Sequence, residues 1–214
     1  MRRELDPEQA EPREIYATLN SVVVPRPIAW VSTRSADGVL NLAPHSFFTV
    51  ACVRPPMVQF TSVGRKDSLN NVEATGEFVV NFAAEPLFEQ INASGTNFPP
   101  EVSEFEAIGV TAEPSRTVAV PRVAESPVAI ECTLHTTLEL GDCTVVIGQV
   151  RAIAIDESVL ADDRPEVRLL RPLARLGKDE WSTLGEIREI SRIRYGDWPG
   201  HFDASRRPGS GSQS

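Results

Sequence analysis

The amino-acid sequence predicts a mostly β, antiparallel domain that closes into a small barrel with small peripheral helices. Three observations predict it. Apolar, β-branched runs recur between turn signals through residues 28–82. Residues 130–140 alternate, with Ile130, Cys132, Leu134, Thr136, Leu138 and Leu140 on one face and Glu131, Thr133, His135, Thr137 and Glu139 on the other. After Gly141-Asp142, residues 143–155 return as a second long run. At about 3.3 Å per residue such a run spans roughly 43 Å, too long for one flat strand in a domain of this size. The pair must curve, and Gly148 is the expected bend or bulge. Long curved antiparallel hairpins are how small barrels close.

The elements follow in order. Residues 1–14 are charged, carry Pro7 and Pro12, and read as an N-terminal arm. Residues 28–33 form a strand that turns through Ser35-Ala36-Asp37-Gly38 into residues 39–42, a hairpin. Residues 47–52, 57–62 and 77–82 are three further strands. Between the last two, a short helix over residues 68–75 is started by Asp67 or Ser68 and stopped by Gly76, with Leu69 and Val72 on its buried side. Residues 85–121 have little periodicity; Phe88, Ile91, Phe98 and Phe105 would pack this stretch on the barrel as short helices and loops. Residues 170–177 and 181–185 are apolar and punctuated by Pro and Gly, and residues 187–191 are expected as a last strand. The folded domain is expected over residues 15–195, followed by a disordered tail over residues 196–214.

The totals exclude several functions. The chain has 214 residues, 41% hydrophobic and 24% charged, an ordinary globular composition. Its net charge of -9 leaves no broad basic face for nucleic acid or an anionic membrane, though it permits one small phosphorylated ligand. Met1-Arg2-Arg3-Glu4-Leu5-Asp6 has no apolar core after it and no run approaches a membrane span, so a cytoplasmic protein is expected. Cys52, Cys132 and Cys143 form no Cys-x-x-Cys pair and sit in apolar contexts, which predicts buried, reduced thiols. His45, His135 and His201 are far apart, and no metal site is expected.

Two stretches carry candidate chemistry. In residues 60–71 an apolar run ends in Thr61 and Ser62, followed by Gly64, the cations Arg65 and Lys66, Asp67-Ser68, and a helix. Cations neutralise a phosphate, hydroxyls donate to it, and a helix N-terminus offers free N–H groups. The second glycine and the Gly-Lys-Ser/Thr ending of a Walker A loop are missing. The plain alternative is a solvated turn with two cations. In residues 41–48, Asn41, His45 and Ser46 stand beside Phe47 and Phe48, with Ala43 and Pro44 allowing close backbone approach. A planar heterocycle needs this mixture of apolar faces and edge donors; the plain alternative is a strand end with core phenylalanines. Arg26 would be an interface or solvated cation, Trp30 a core residue, and Ser32 and Thr33 neighbours of Asn41 in the same pocket. His135 has no nearby nucleophile or acidic orienter and reads as a surface or interface residue. Neither a Gly-x-Ser-x-Gly elbow nor a Gly-x-Gly-x-x-Gly fingerprint is present.

Residues 26–33, 41–48, 65–71 and 76–81, with Glu104-Phe105-Glu106, Glu125-Ser126-Pro127, Ile147-Gly148-Gln149-Val150 and Arg175-Leu176-Gly177, together resemble the flavin reductase-like family, the FMN-binding split-barrel group. The resemblance runs from about residue 16 to 190. It implies a six-stranded antiparallel split β-barrel of Greek-key type and a homodimer with FMN at the interface. It implies that Lys66, Asp67 and Ser68, with Arg65, Thr61, Ser62 and Asn71, surround the phosphate. Asn41, Ala43, Pro44, Ser46 and Phe47, with Thr33, would lie along the ring. His45 is the first candidate for a ring-edge or nicotinamide contact, and no other catalytic residue is named. The activity implied is hydride transfer from NADH or NADPH to FMN, with electrons passed to an acceptor or a partner monooxygenase. Alternatives are an electron carrier without nicotinamide turnover, or a barrel for another planar cofactor such as haem with His45 or His135 as axial ligand. His45, Cys143 and Trp181 depart from the family pattern, where an aromatic residue, a histidine and a tyrosine are usual.

Overall fold

The computed structural model describes residues 1–198. Met1–Leu184 form one compact unit and the chain from Gly185 a second. The first unit is built on β1 (Ala29–Arg34), β2 (Leu40–His45), β3 (Phe48–Cys52), β4 (Met57–Val63), β5 (Glu77–Phe82), β6 (Val128–Leu140) and β7 (Cys143–Ile155). Its helices include α1 (Pro12–Val22), α2 (Asp67–Thr75), α3 (Phe88–Ala93) and α4 (Glu104–Ile108). Helix α1 runs across residue 14, where the arm was expected to end.

The strand order is β2-β1-β5-β6-β7-β4-β3, with every pairing antiparallel. β2 and β3 lie at opposite edges of this order, yet only Ser46 and Phe47 separate them in the chain. The sheet must therefore curl until its edges meet, which also removes two open edges. That break raises the strand count to seven, against the six implied by the resemblance. The connection from β4 to β5 passes through α2 and joins strands that are not neighbours, the Greek-key element of the topology.

β6 and β7 each run the expected thirteen residues, and their register shifts between Ile147 and Gly148 and again between Val150 and Ala152. The first shift passes over His135 of β6 and the second over Arg151 of β7, so an irregularity falls beside Gly148, where its position predicted one, and its missing side chain leaves room for Phe78. The barrel interior holds Val31, Phe60, Phe78, Val80, Cys132 and Val146, and α2 plugs it with Leu69 and Val72. Gly76 ends α2 at φ 73, a left-handed conformation in which glycine has no Cβ to clash, and its N–H closes on the Val72 carbonyl. The opposite face of β1 is covered too: Ile28, Trp30 and Leu42 join Ile91, Phe105 and Leu173 in a second core. β1 therefore reads as a continuous apolar run because both its faces are buried.

Several expectations are corrected. On β6 the polar face is not uniformly wet. Glu131 is fully buried and accepts from Arg116 N–H, Thr117 N–H and the Thr117 hydroxyl, which anchors the loop before β6. The apolar face is not uniformly dry: Leu138 and Leu140, near the tip of the hairpin, are exposed. Only Cys132 is buried, because Cys52 and Cys143 sit at strand ends; all three thiols are free. Residues 187–191 form no strand. Residues 199–214 of the expected tail lie outside the described residues.

Candidate functional site

A cavity of about 420 Å³ opens between the end of β2, the turn after β4 and the start of α2. The two stretches that the sequence singled out separately form its walls. Asn41, Ala43, Pro44, His45, Ser46 and Phe47 face it from one side, and Thr61, Arg65, Lys66, Asp67 and Ser68 from the other. Such a volume is in the usual range for a small-molecule site.

The α2 end is open to an anion. Its N-cap is Lys66, in extended conformation, and no side chain caps the helix. The helix starts at Asp67, within the expected pair, and the Ser68 hydroxyl is drawn into the barrel, where it donates to Asn41 Oδ1 at 3.1 Å and lies 3.2 Å from His45 Nε2. The first N–H groups of a nine-residue helix are left without side-chain partners beside the cavity. The two cations differ. Arg65 donates to Asn70 Oδ1 at 3.2 Å and is ion-paired with Glu73, so its guanidinium is held along the helix. Lys66 has no carboxylate within ion-pair reach among the described residues.

Behind the wall runs a buried polar network. Asn71 Nδ2 donates to Thr33 Oγ1, Thr33 Oγ1 to Asn41 Oδ1, and Asn41 Nδ2 to Glu104 Oε1 at 2.9 Å. The second Glu104 oxygen accepts from Leu42 N–H at 2.9 Å. Thr33 and Asn71 are thus not cavity-lining; they fix Asn41, whose carbonyl oxygen receives two hydroxyls while its amine is tied to Glu104. Ser62 is also off the wall, because its hydroxyl donates to Gly64 O and shapes the turn. Ser32 points away from Asn41, donating to Pro121 O and accepting from Asn81. Arg26 is neither solvated nor loose: it is buried and donates to the carbonyls of Asn20, Val23 and Leu176. Trp30 is core, with its indole N–H donating to Ser94 Oγ. His135 lies exposed on β6, away from this wall.

Glu104, Tyr16 and residues 94–98 line the cavity without having been assigned to it. No local pattern marks them. Glu104 belongs to the Glu104-Phe105-Glu106 stretch of the resemblance, which assigned it no role, and it reaches Asn41 across 63 positions of sequence.

Burial sets the charge of both titratable groups at the base of the cavity. Desolvation pushes Glu104 above the usual carboxylate range, against the Leu42 and Asn41 hydrogen bonds, and nearby Asp67 pushes it further up. Burial lowers His45 to about 4, opposed by a backbone hydrogen bond at Thr61 and reinforced by Lys66. His45 packs on Phe60 with ring centroids 4.7 Å apart, so at neutral pH it is an uncharged aromatic of this core. Because folding depresses its pKa, the unfolded chain binds the extra proton first as pH falls. Stability is therefore lost from about pH 6.5 down to about 4. Between pH 6.5 and 5 the His45 share is about 2 kcal/mol. Glu104, shifted upward, acts with the opposite sign. Denaturant titrations at pH 7 and pH 5 should show a smaller acid loss for His45→Phe than for the parent; equal losses would contradict this assignment.

The barrel's core polar network thus backs one cavity with a helix N-terminus at one end and a strand-edge asparagine at the other. The family model of the flavin reductase like domain matches residues 21–171, and the chain belongs to this flavin reductase-like family. A protein of Aquifex aeolicus is 41% identical over 169 residues, covering 76% of this chain and 86% of that one. The crystal structure of nitrilotriacetate monooxygenase component B from Bacillus cereus is similar at a TM-score of 0.85 with 32% identity, covering 89% of this chain and 99% of that chain. A split-barrel-domain protein from Shewanella frigidimarina shares the fold at a TM-score of 0.80 with 21% identity, covering 89% of this chain and 100% of that chain. The fold is thus the split barrel, and the class is flavin-related oxidoreductase.

Proposed function

We propose that the chain is an FMN-dependent oxidoreductase that takes hydride from NADH or NADPH. The observation that carries this reading is the meeting of an uncapped helix N-terminus with the unpaired Lys66 and of the Asn41–Phe47 wall in one cavity. A mononucleotide has one phosphorylated end and one flat end, and the residues present suit both. Lys66 and the first N–H groups of α2 would hold the phosphate, with Thr61 as a further donor. Asn41, Ala43, Pro44, Ser46 and Phe47 would lie along the ring, with Asn41 oriented by Thr33, Ser68 and Glu104. When bound, the flavin supplies the hydride-accepting and electron-passing chemistry. The protein's part is to position it, keep one side dry and fix the ring-edge groups. Neutral His45 completes the base of the cavity and needs no proton transfer to do so.

Two further parts of the reading have their own support. Leu138 and Leu140 leave more than half of their surface open on the outer half of β6, apolar area that a second copy would cover as a homodimer. Likeness to a monooxygenase component supports delivery of electrons to a partner oxygenase. The three free thiols fit a reducing cytoplasm. Anaerobic titration tests the core of the proposal. FMN should bind, and its absorbance near 450 nm should bleach on addition of NADH or NADPH. Binding without bleaching would replace the reductase by an electron carrier; no spectral change with FMN would remove both.

A further inference from the structure

Beside the first cavity lies a second, of about 650 Å³, which shares Pro44, Ser46 and Gly95 with it. The two are adjoining parts of one cleft. The second has an aromatic wall: Phe88 meets Trp181 edge-to-face, centroids 5.2 Å apart at 82°. The Arg175 guanidinium lies over the Trp181 ring, 4.7 Å from its centroid. This placement comes from local pairing, since Arg175 and Trp181 are opposite each other in a short antiparallel ladder. Stacking leaves a guanidinium's in-plane donors free. One of them goes to Lys178 O at 2.9 Å, and no carboxylate, Asp179 on the rim included, ion-pairs with Arg175 among the described residues.

A second cation reinforces the first. Arg26 spends its donors on three backbone carbonyls and reaches Ser46 Oγ at 3.4 Å, again without a carboxylate. Burial lowers the Arg26 pKa, and the charge of Arg175 lowers it further, so the two guanidiniums repel across the Ser46 side of the cleft. In a chain of net charge -9, two guanidiniums thus stand on this side of the cleft with one carboxylate, Asp179, that ion-pairs with neither. An anion there would relieve the repulsion, and a flat group beside it would find Phe88 and Trp181.

We propose that this second cavity binds a planar ligand bearing an anionic group, its ring against Phe88 and Trp181 and its anion at Arg175, next to the flavin. The proposal rests on the flavin reading of the first cavity and supplies the subsite for the molecule that exchanges electrons there. An aromatic carboxylate and the nucleotide phosphates of a nicotinamide dinucleotide share this chemistry. Equilibrium dialysis of the FMN-loaded protein with benzoate, benzamide and NAD⁺ tests it. Benzoate should bind about tenfold or more tighter than neutral benzamide, and Arg175→Gln should erase that difference. FMN affinity should stay within about twofold in Arg175→Gln, because phosphate binding is assigned to Lys66 and α2. Displacement of benzoate by NAD⁺ would identify the dinucleotide as the anion's source; benzoate binding without displacement would identify an aromatic carboxylate. Equal affinity for benzoate and benzamide, or a difference that survives Arg175→Gln, overturns the proposal. So does an Arg175→Gln loss of FMN as large as that of benzoate, which would make this cavity part of the flavin site. If the parent protein takes up no FMN, it is the flavin reading itself that fails.

Discussion

Lys66→Ala should weaken FMN binding about ten- to a hundredfold and leave riboflavin within about twofold. Two cations sit at the turn before α2, and they differ in their partners. Arg65 is committed to Glu73 and Asn70 on the helix, while Lys66 has no carboxylate partner and stands at the N-cap. A charge-assisted contact is worth roughly 1.5–3 kcal/mol, which sets the range. Riboflavin lacks the phosphate, so it reports everything about the ring and nothing about this end. Arg65→Ala should have the smaller effect of the two, because its guanidinium is already spent. Isothermal titration with both flavins decides it. If Lys66→Ala lowers FMN and riboflavin equally, the turn does not hold a phosphate. Ser68 is a poor probe of this question, because its hydroxyl serves Asn41 and His45, and its loss would disturb the ring edge as well.

Gly148→Ala should destabilise the protein by about 3 kcal/mol, the upper part of the range for overpacking a core. A Cβ built at position 148 lies 2.2 Å from Phe78 Cζ, 2.5 Å from its Cε1 and 3.1 Å from Cys132 Cβ. Phe78 cannot retreat easily, since it is fully buried and meets Phe60 edge-on with centroids 5.4 Å apart. In a domain of this size the melting temperature should fall by roughly 6–12 °C. Trimming the obstacle supplies the control. Phe78→Leu destabilises alone, but in the double variant the two effects should fall short of their sum by about 1 kcal/mol or more. Strict additivity would show that the contact does not set the requirement for glycine. The register shift beside Ile147 and Gly148, where His135 of β6 is the extra residue, places this contact at the irregularity of the long hairpin.

The strands were legible because strand formation is signalled locally. β5 and β7 have the bounds that their apolar runs and the Gly-Asp turn predicted, and the irregularity beside Gly148 followed from strand length together with the glycine's position. Expectations failed where burial depends on a partner distant in sequence. The wet face assigned to Glu131 became dry because residues 116–117 fold over it. The solvated alternative for Arg26 fell because three carbonyls, from α1's end and from residue 176, surround it. Residues 187–191 have strand composition but form no strand.

The phosphate-type turn and the ring-edge strand were each visible in the sequence, for the same reason: residue types needed by the chemistry stand next to one another in the chain. Their meeting in one cavity was decided by the fold, through a barrel that curls until β2 and β3 approach and a helix that plugs its end. The fold alone also left Lys66 rather than Arg65 without a carboxylate partner, put Thr33, Ser62 and Asn71 behind the wall, and brought in Glu104. A sequence carries the identity and order of hydrogen-bonding groups. Which of them remain free is settled by partners that only tertiary contacts supply.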